Sequence, residues 1–252
     1  MMLRVHVTWF VKGLDVEADA LAIVDVLRFS TTVSMALEMG FKTIYVFPGL
    51  GDAICFARAK KIPLLAEVGG IKPSEADMDN SPSDIAQRGW TYLSRGVDKL
   101  VIRTSAGGVL TCKAVQKELD SVFVASTVNA RGVAEALISG GYRVINIVCA
   151  GVGLERFAIE DFIGAGALIH EILKVNGNVE LSPVAVAALN VFRSAVARLQ
   201  DFMRLSESGK IVSSTGHRSD IEIASMLNIS RAIPCAKPLQ DAGGAIIRKL
   251  ET

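Results

Sequence analysis

Six runs of apolar residues recur along the first 150 positions of the chain, and each is followed by small or polar residues and then by a helical pattern. The runs span residues 21–26, 42–47, 62–68, 99–104, 122–126 and 142–150. Their apolar positions are nearly continuous rather than alternating, which indicates strands that are covered on both faces and paired largely in parallel. The pattern therefore predicts an α/β fold, a three-layer α/β/α sandwich with a largely parallel or mixed sheet.

Helix signals fill the spaces between these runs. Gly40 and Gly140 suit the position that follows the last turn of a helix, so they mark two helix ends. Pro183 suits a first turn, and the helical spacing after it predicts one helix from Pro183 to Leu205. Because no linker separates this region from the rest, we expect a single domain over residues 1–252 with a helical C-terminal third.

The segment 67–90 breaks the alternation of strand and helix. It holds Gly69, Gly70, two prolines and several acids, which predicts a long loop. Within it, Asn80 and Pro82 are typical of a turn that begins a helix. Long loops inside compact domains are often functional, so this segment is a candidate part of a site.

Composition limits the partners of the protein. The chain has 252 residues, with 27 Lys and Arg against 26 Asp and Glu, and a formal charge of +1. No overall field therefore draws it to nucleic acid or to an anionic membrane, and any anion must be bound locally. Since no uncharged apolar run approaches the roughly 20 residues that span a bilayer, we expect a soluble protein.

The four cysteines are scattered and form no CxxC pair, which argues against a zinc ribbon or a disulfide framework and predicts reduced thiols in the cytoplasm. Cys149 begins the segment CAGVGLER, which is similar to the loop of cysteine-dependent phosphatases. Six residues separate Cys149 from Arg156, one more than in that loop, so a structural cysteine is favoured over a nucleophile. A homodimer is expected only because symmetric pairs are the commonest assemblies.

Four acidic residues lie where an open α/β sheet binds its ligands, beyond the carboxyl ends of the strands. Asp25 and Glu67 end two predicted strands, and Glu160 and Asp161 follow the last one by a loop. Brought together, they would repel one another and an anionic substrate unless a divalent cation lay among them. Oxygen ligands favour Mg²⁺, which we expect Asp25 to hold with Glu160 or Asp161. Asp25, Glu67 and Asp161 are the predicted catalytic residues.

Three turns after the strands combine hydroxyls, glycine or an amide with the start of a helix, where backbone N–H groups attract anions. The candidate anion-binding residues in these turns are Ser30, Thr31, Thr104, Ser105, Gly107, Ser126 and Asn129. Arg28 and Arg103 could add forked hydrogen bonds to a phosphate or sulfonate. Asp25 would then face the metal, and Arg28 the anion.

Most of these features also have a purely structural interpretation. Asp25 and Arg28 could pair across a turn, and the hydroxyls after them could cap a helix. Glu160 and Asp161 suit the first turn of any helix, because acids there complement its dipole. Glu67 instead favours function, since a lone carboxylate at a buried strand end is costly without a partner.

Six segments occur in an order that resembles one known family. They are DVLRFSTT, AEVGGIKPSEADMDNSP, TSAGG, STVNARGVAEAL, VCAG and FAIEDFIGAGAL. On these motifs the chain resembles the 2-phosphosulfolactate phosphatases of coenzyme M biosynthesis. The motif positions that carry over are Asp25, Arg28, Thr31, Glu67, Asn80, Thr104, Asn129, Glu160 and Asp161.

The resemblance implies a Mg²⁺-dependent hydrolase that converts 2-phospho-3-sulfolactate, a small anionic phospho and sulfo acid, to 3-sulfolactate and phosphate. It adds Asn80 to the substrate-binding residues. One turn departs from the family pattern, because RTSAGG has Ala106 where an asparagine is expected. This difference leaves open a phosphatase for another 2-phospho acid, or a domain that binds an organic anion without turnover.

Overall fold

Ten strands of the described residues form one mixed sheet in the computed structural model, which describes residues 2–117, 119, 121–240 and 243–251. In chain order they are β1 (Leu3–Trp9), β2 (Ala20–Val24), β3 (Thr43–Val46), β4 (Leu64–Ala66), β5 (Lys99–Arg103), β6 (Ser121–Ala125), β7 (Val144–Cys149), β8 (Val179–Leu181), β9 (Pro234–Leu239) and β10 (Gly244–Lys249). Across the sheet the order is β4-β5-β3-β10-β9-β6-β2-β7-β1-β8.

Two parallel blocks make up this sheet. One contains β4, β5 and β3, and the other contains β6, β2, β7, β1 and β8. Between them, β10 pairs antiparallel with β3, β9 with β10, and β6 with β9, so the two blocks run in opposite directions. Each pairing also adds a twist of roughly 20–25°, which accumulates across these strands and rotates the blocks relative to one another.

Helices cover both faces of the sheet. They are α1 (Phe29–Met39), α2 (Leu50–Lys60), α3 (Pro82–Leu93), α4 (Gly107–Ala114), α5 (Ala130–Ser139), α6 (Ile159–Val175), α7 (Pro183–Ala195), α8 (Leu199–Leu205), α9 (Glu207–Ser214) and α10 (Arg218–Ala224). One core joins the sheet to α5, α6 and α7, and a second joins the opposite face to α1, α3 and α4. The predicted three-layer α/β/α sandwich with a mixed sheet is confirmed.

The central strand β2 shows why the apolar runs are continuous. Ala22 and Val24 belong to the core under α5 and α6, whereas Leu21 and Ile23 belong to the core under α1 and α4. All four side chains are fully buried. Because both faces of the strand exclude water, neither set of alternate positions can be polar.

All six predicted strands are present, but the structure corrects two predicted segments. The loop expected over 67–90 is shorter, since α3 begins at Pro82, as the turn signal at Asn80 and Pro82 predicted, with Ser81 Oγ accepting a hydrogen bond from Asp84 N at 3.1 Å. The helix expected from Pro183 to Leu205 is two helices, α7 and α8, with a 3-10 turn between them.

The C-terminal third also supplies three strands that the sequence pattern did not reveal. β8 is only three residues long, and β9 contains Pro234, Lys237 and Pro238, which obscure a strand pattern. β9 and β10 nevertheless join the two blocks of the sheet. Among the described residues, no helix combines the length and the apolar character that crossing a bilayer requires.

Candidate active site

Four buried carboxylates lie together beyond the strand ends, and we call them the acid cluster. Asp25 follows β2, Glu67 follows β4, and Glu160 and Asp161 occupy the first turn of α6. Glu67 and Glu160 are near enough for their charges to raise the pKa of Asp25. Asp25 and Glu160 act in the same way on the pKa of Asp161. The structure therefore brings together the acids that the sequence selected, although their strands belong to two blocks that run in opposite directions.

Backbone N–H groups hold two of these carboxylates in place. Asp25 Oδ2 accepts a hydrogen bond from Gly107 N at 2.7 Å, which ties the end of β2 to the start of α4. A Cβ at Gly107 would lie 2.5 Å from that same oxygen, so the contact requires glycine. The two oxygens of Asp161 accept hydrogen bonds from Val26 N and Gly151 N, both at 2.8 Å.

Glu67 organises the loops after β4 and β5. Its Oε2 accepts hydrogen bonds from Gly70 N at 2.7 Å and from Ser105 Oγ at 3.1 Å, and its Oε1 accepts one from Ser105 N. Arg103 Nη1 donates to the backbone oxygen of Glu67 at 2.6 Å and so supports this loop. Backbone N–H groups of the predicted anion-binding turns, those of Ser105 and Gly107, are thus occupied by carboxylates of the protein itself.

Burial and repulsion by neighbouring carboxylates favour the protonated forms of Asp25 and Asp161. Burial, together with the charges of Glu67 and Glu160, raises the pKa of Asp25 from 3.8 to about 7. Burial also raises the pKa of Asp161 well above its usual range and raises the pKa of Glu160. In the described part of the chain, no ion pair neutralises any of the four carboxylates.

A hard divalent cation suits this donor set. Glu160 Oε2 is buried and has no hydrogen-bond partner, whereas both oxygens of Asp161 accept hydrogen bonds from backbone N–H groups. Of these two acids, Glu160 therefore has the oxygen without a partner, although hydrogen bonds from the Ser208 and Ser206 hydroxyls lower its pKa against the effect of burial. Within the described residues, no three Asp, Glu, His or Cys side chains are placed to hold a metal ion together, so a cation bound here would take most of its ligands from water or substrate oxygens.

A cavity of about 240 Å³ opens beside the acid cluster. Asp25, Glu67, Arg28, Asn80 and Ser105, all predicted site residues, contribute to its lining. The Oδ1 atom of Asn80 is buried without a hydrogen-bond partner, so this side chain has an unused polar group at the cavity. Glycine-rich loops and the start of α9 form much of the remaining wall.

Arg28 belongs to a second charged group, which we call the paired cluster: Arg28, Asp79, His217 and Asp220. Its guanidinium donates hydrogen bonds to both carboxylate oxygens of Asp79, at 3.1 and 3.2 Å, and to Asp220 Oδ2 at 3.2 Å. His217 Nε2 lies 3.5 Å from Asp79 Oδ2. Arg28, Asp79 and Asp220 are buried, so Arg28 is both a cavity residue and the centre of an internal ion-pair network.

Asp220 ties this network to the start of α3. Its Oδ1 accepts hydrogen bonds from the hydroxyls of Ser81 and Ser83, at 2.7 and 2.6 Å, and from Ser83 N at 3.1 Å. Both oxygens of the Asp220 carboxylate therefore accept hydrogen bonds. Burial raises the pKa of Asp79, while the proximity of Arg28 and His217 acts in the opposite direction.

The other predicted binding residues form hydrogen bonds within the turns that follow the strands. Thr31 Oγ1 donates to Val26 O at 2.8 Å and lies 2.7 Å from Ser126 Oγ, and Asn129 Oδ1 accepts a hydrogen bond from Ser126 N at 2.8 Å. These bonds fix the turns after β2 and β6. The predicted residues that do not belong to the described cavity lining are Ser30, Thr31, Thr104, Gly107, Ser126, Asn129, Glu160 and Asp161.

Sequence reasoning missed Asp79, Asp220 and the role of Arg156. A buried arginine needs carboxylate partners, but nothing in the sequence shows which distant acids supply them. Asp220 lies in SSTGHRSD, the segment that holds the one histidine in a polar context. Arg156 lies in the segment that resembled a phosphatase loop, and in the structure it lines the cavity.

Cys149 is buried at the end of β7 beside the acid cluster. Its Sγ donates to Asp161 O at 3.5 Å. Burial raises the pKa of the Cys149 thiol well above its usual range, and the charges of Asp161 and Glu160 raise it further. A thiol in these surroundings is protonated at neutral pH, which is unfavourable for a nucleophile.

Comparisons with known proteins show similarity along most of the chain. The family model described as 2-phosphosulpholactate phosphatase matches residues 11–238. A protein of Thermus thermophilus described as a probable 2-phosphosulfolactate phosphatase is 28% identical over 216 residues, covering 86% of this chain and 87% of its own. Proteins with the same description from Carboxydothermus hydrogenoformans and Deinococcus radiodurans are each 29% identical. The former match covers 92% of both chains, and the latter covers 92% of this chain and 93% of its own.

Proposed function

Because the chain belongs to the 2-phosphosulpholactate phosphatase family, we propose that it is a Mg²⁺-dependent phosphomonoesterase that hydrolyses 2-phospho-3-sulfolactate to 3-sulfolactate and phosphate. One structural observation carries this proposal. Four buried carboxylates from separate loops converge beside a cavity without an ion-pair partner among the described residues, and one of them keeps a buried oxygen without any hydrogen bond. Such a group is costly unless a cation or protons join it.

Asp25 and Glu160 would hold the metal ion. When bound, Mg²⁺ would offset the charge of the carboxylates and of the phosphoryl oxygens, and it would polarise the phosphorus toward attack. Asp161 would position this pair, since it accepts hydrogen bonds from Val26 N and Gly151 N and so fixes the loops after β2 and β7. Glu67 has the corresponding role for the loop of Ser105.

The phosphate would be bound at the side of the cavity where Arg28, Asn80 and Ser105 meet. Arg28 donates three hydrogen bonds to its two carboxylate partners, and a guanidinium carries five N–H groups, so donors remain for a phosphoryl oxygen. The two carboxylates hold its planar group in one orientation, which favours directional recognition of an oxyanion. Asn80, with its unused polar atom, is the second candidate donor or acceptor.

The reaction is the transfer of a phosphoryl group to water. Asp25, the acid-cluster residue that lines the cavity beside Arg28, would orient the attacking water. The bond between phosphorus and the C2 oxygen of the substrate breaks, and the released alkoxide takes up a proton to give 3-sulfolactate. Direct attack by water inverts a chiral phosphorus, whereas a covalent phosphoenzyme retains its configuration, so the stereochemical outcome tests this step.

A phosphate-release assay with a panel of 2-phospho acids, with Mg²⁺ and with EDTA, tests the proposed function. We expect Mg²⁺-dependent turnover of 2-phospho-3-sulfolactate, lowered about 100-fold or more in Asp25→Asn. Glu135→Gln, which removes an exposed acid of α5, is the matched control and should retain activity.

Three outcomes would contradict parts of the proposal. Turnover that persists in EDTA would show that the reaction does not require Mg²⁺. Preference for another 2-phospho acid would change the substrate, in keeping with the substitution at Ala106. Binding of the acid without release of phosphate would leave a domain that recognises organic anions.

A further inference from the structure

The substrate of the proposed function has more negative charge than Arg28 alone can match. It carries a phosphate on C2, a carboxylate on C1 and a sulfonate on C3. Among the described residues that line the cavity, Arg28 and Arg156 are the two with positively charged side chains. These two arginines differ in the burial and the number of the ion pairs that their guanidinium groups form.

Arg28 is buried and shared between two buried carboxylates, so it cannot turn toward a distant ligand without leaving those charges unpaired. The side chain of Arg156 is 57% exposed, and its partner Glu207 is 50% exposed. The fork of Arg156 donates from Nη2 to Glu207 Oε1 at 2.7 Å and from Nε to Oε2 at 3.3 Å. Exposed ion pairs of this kind contribute little to stability, and water can solvate the carboxylate of Glu207 when the pair opens.

The backbone holds Arg156 in a fixed relation to the acid cluster. Val152 N donates to Arg156 O at 2.9 Å and Arg156 N donates to Val152 O at 3.1 Å, which closes the loop after β7. At the other end of this loop, Gly151 N donates to Asp161 Oδ2 at 2.8 Å. Gly151 has φ of +68° and a Cβ there would lie 2.4 Å from Arg156 O, so this tight loop requires glycine. A short, closed loop therefore connects a cavity arginine directly to the acid cluster.

We propose that Arg156 is a specificity-determining residue that binds the sulfonate of the substrate, and that Glu207 occupies its guanidinium when the cavity has no ligand. This inference rests on the proposed function, which places the phosphate between the acid cluster and Arg28. The sulfonate is on the terminal carbon next to the phosphate-bearing one, and an exposed cation at the cavity suits it. Two parallel N–H groups of the fork match two oxygens of a tetrahedral oxyanion, as they now match the carboxylate of Glu207.

A comparison of three substrates tests this assignment. They are 2-phospho-3-sulfolactate, 2-phospholactate, which lacks the sulfonate, and 2-phosphooxyethanesulfonate, which lacks the carboxylate. In Arg156→Ala, the ratio of kcat/KM for 2-phospho-3-sulfolactate to that for 2-phospholactate should fall about 10- to 100-fold, through KM. The ratio for the two sulfonates should stay within about twofold. These ratios do not depend on the fraction of folded enzyme.

Two control variants separate recognition from structure. Glu207→Gln breaks the same ion pair but leaves Arg156 in place, so KM for the sulfonates should stay equal or fall. If the pair only fastened the loop to α9, Glu207→Gln would reproduce the loss seen in Arg156→Ala, and the proposal would be wrong. Arg198→Ala removes another exposed arginine, paired with Asp201, and should leave every ratio unchanged.

The remaining outcomes are also decisive. An equal loss on all three substrates, or a loss confined to those with a carboxylate, would overturn the sulfonate assignment. If the wild-type protein hydrolyses none of them, the proposed function fails, and calorimetric binding of 3-sulfolactate and lactate still tests Arg156. Weaker binding of 3-sulfolactate alone in Arg156→Ala would support the assignment, and unchanged binding of both would refute it.

Discussion

The paired cluster and the acid cluster are two groups of buried carboxylates beside one cavity, and they are neutralised in different ways. In the paired cluster, Asp79 and Asp220 share the guanidinium of Arg28, and every described oxygen of Asp220 has a donor. In the acid cluster, backbone N–H groups hold Asp25, Glu67 and Asp161, but none of the described cationic side chains pairs with the four acids, and Glu160 Oε2 has no hydrogen-bond partner.

This difference shows which buried charges the protein neutralises with its own residues and which it does not. The paired cluster is complete within the protein, so it joins α3, α10 and the loop before α1 without any further component. The acid cluster is incomplete, because neighbouring carboxylates raise the pKa of Asp25 and of Asp161 and no cationic side chain of the described residues pairs with the four acids. Buried carboxylates with perturbed pKa values beside a cavity mark a candidate functional site.

Removing the shared cation should have the largest effect on stability. In Arg28→Met, Asp79 and Asp220 remain buried without their partner, and we expect the free energy of unfolding to fall by about 3–5 kcal/mol. Urea denaturation of the metal-free protein measures this change. Arg198→Met removes an exposed ion pair and should cost less than about 1 kcal/mol. Similar values for the two variants would show that the paired cluster does not stabilise the fold.

Neutralising one carboxylate in each cluster should shift stability in opposite directions. At pH 8 without metal, Asp220→Asn places an amide NH₂ against donors and should lower the free energy of unfolding by about 1–3 kcal/mol. Asp25→Asn removes a charge that burial and its neighbours disfavour, so it should raise the free energy of unfolding. Destabilisation by both variants would mean that the acid cluster is as well neutralised as the paired cluster.

The sequence was informative where local chemistry decides the outcome. Continuous Val and Ile runs predict the covered strands, and Asp25, Glu67, Glu160 and Asp161 are candidates because they follow those strands, where an open α/β sheet binds its ligands. Only Glu67 is also favoured because a lone carboxylate at a buried strand end is costly. A largely parallel sheet would place all the strand ends at one edge. In the structure β9 and β10 reverse the second block, and loop contacts such as Gly107 N to Asp25 bring the ends together.

What the sequence could not show depends on contacts between distant segments. Arg28 and Asp220 are 192 positions apart, and no local pattern links them. The strand β9 has its place in the middle of the sheet through pairing with β6 and β10, although two of its six residues are prolines. Arg156 was noticed for its distance from Cys149, whereas its relevance comes from the loop that connects it to Asp161.

The acid cluster should also make the free energy of unfolding depend on pH, and this effect should be smaller than those of the substitutions above. The native pKa of Asp25 is about 7 and its ordinary value is 3.8, so between these values the native state binds more protons than the unfolded state. The free energy of unfolding of the metal-free protein should therefore fall as pH rises from about 4 to 7, by at most about 1.4 kcal/mol per pH unit for this group. Asp161 and Glu160 act in the same direction because their pKa values are also raised.

Denaturation curves at pH 5, 6, 7 and 8 measure this slope. Asp25→Asn should flatten it, and Mg²⁺ should flatten it in the wild-type protein by favouring the ionised carboxylates. A stability that rises with pH over this range would contradict the raised pKa values. Mg²⁺ that leaves the slope unchanged would indicate that the ion does not bind among these acids.

Replacing Cys149 should have the smallest effect, although this residue contacts the acid cluster. Because burial and the charges of Asp161 and Glu160 keep its thiol protonated, Cys149 cannot supply the thiolate that a cysteine phosphatase requires. Cys149→Ser preserves the size of the side chain and a donor toward Asp161 O, so we expect kcat to stay within about twofold and activity to remain sensitive to EDTA. Loss of turnover in a variant whose far-UV circular dichroism and unfolding midpoint match those of the wild type would instead identify Cys149 as the nucleophile. In that case the acid cluster would serve the fold and not the reaction.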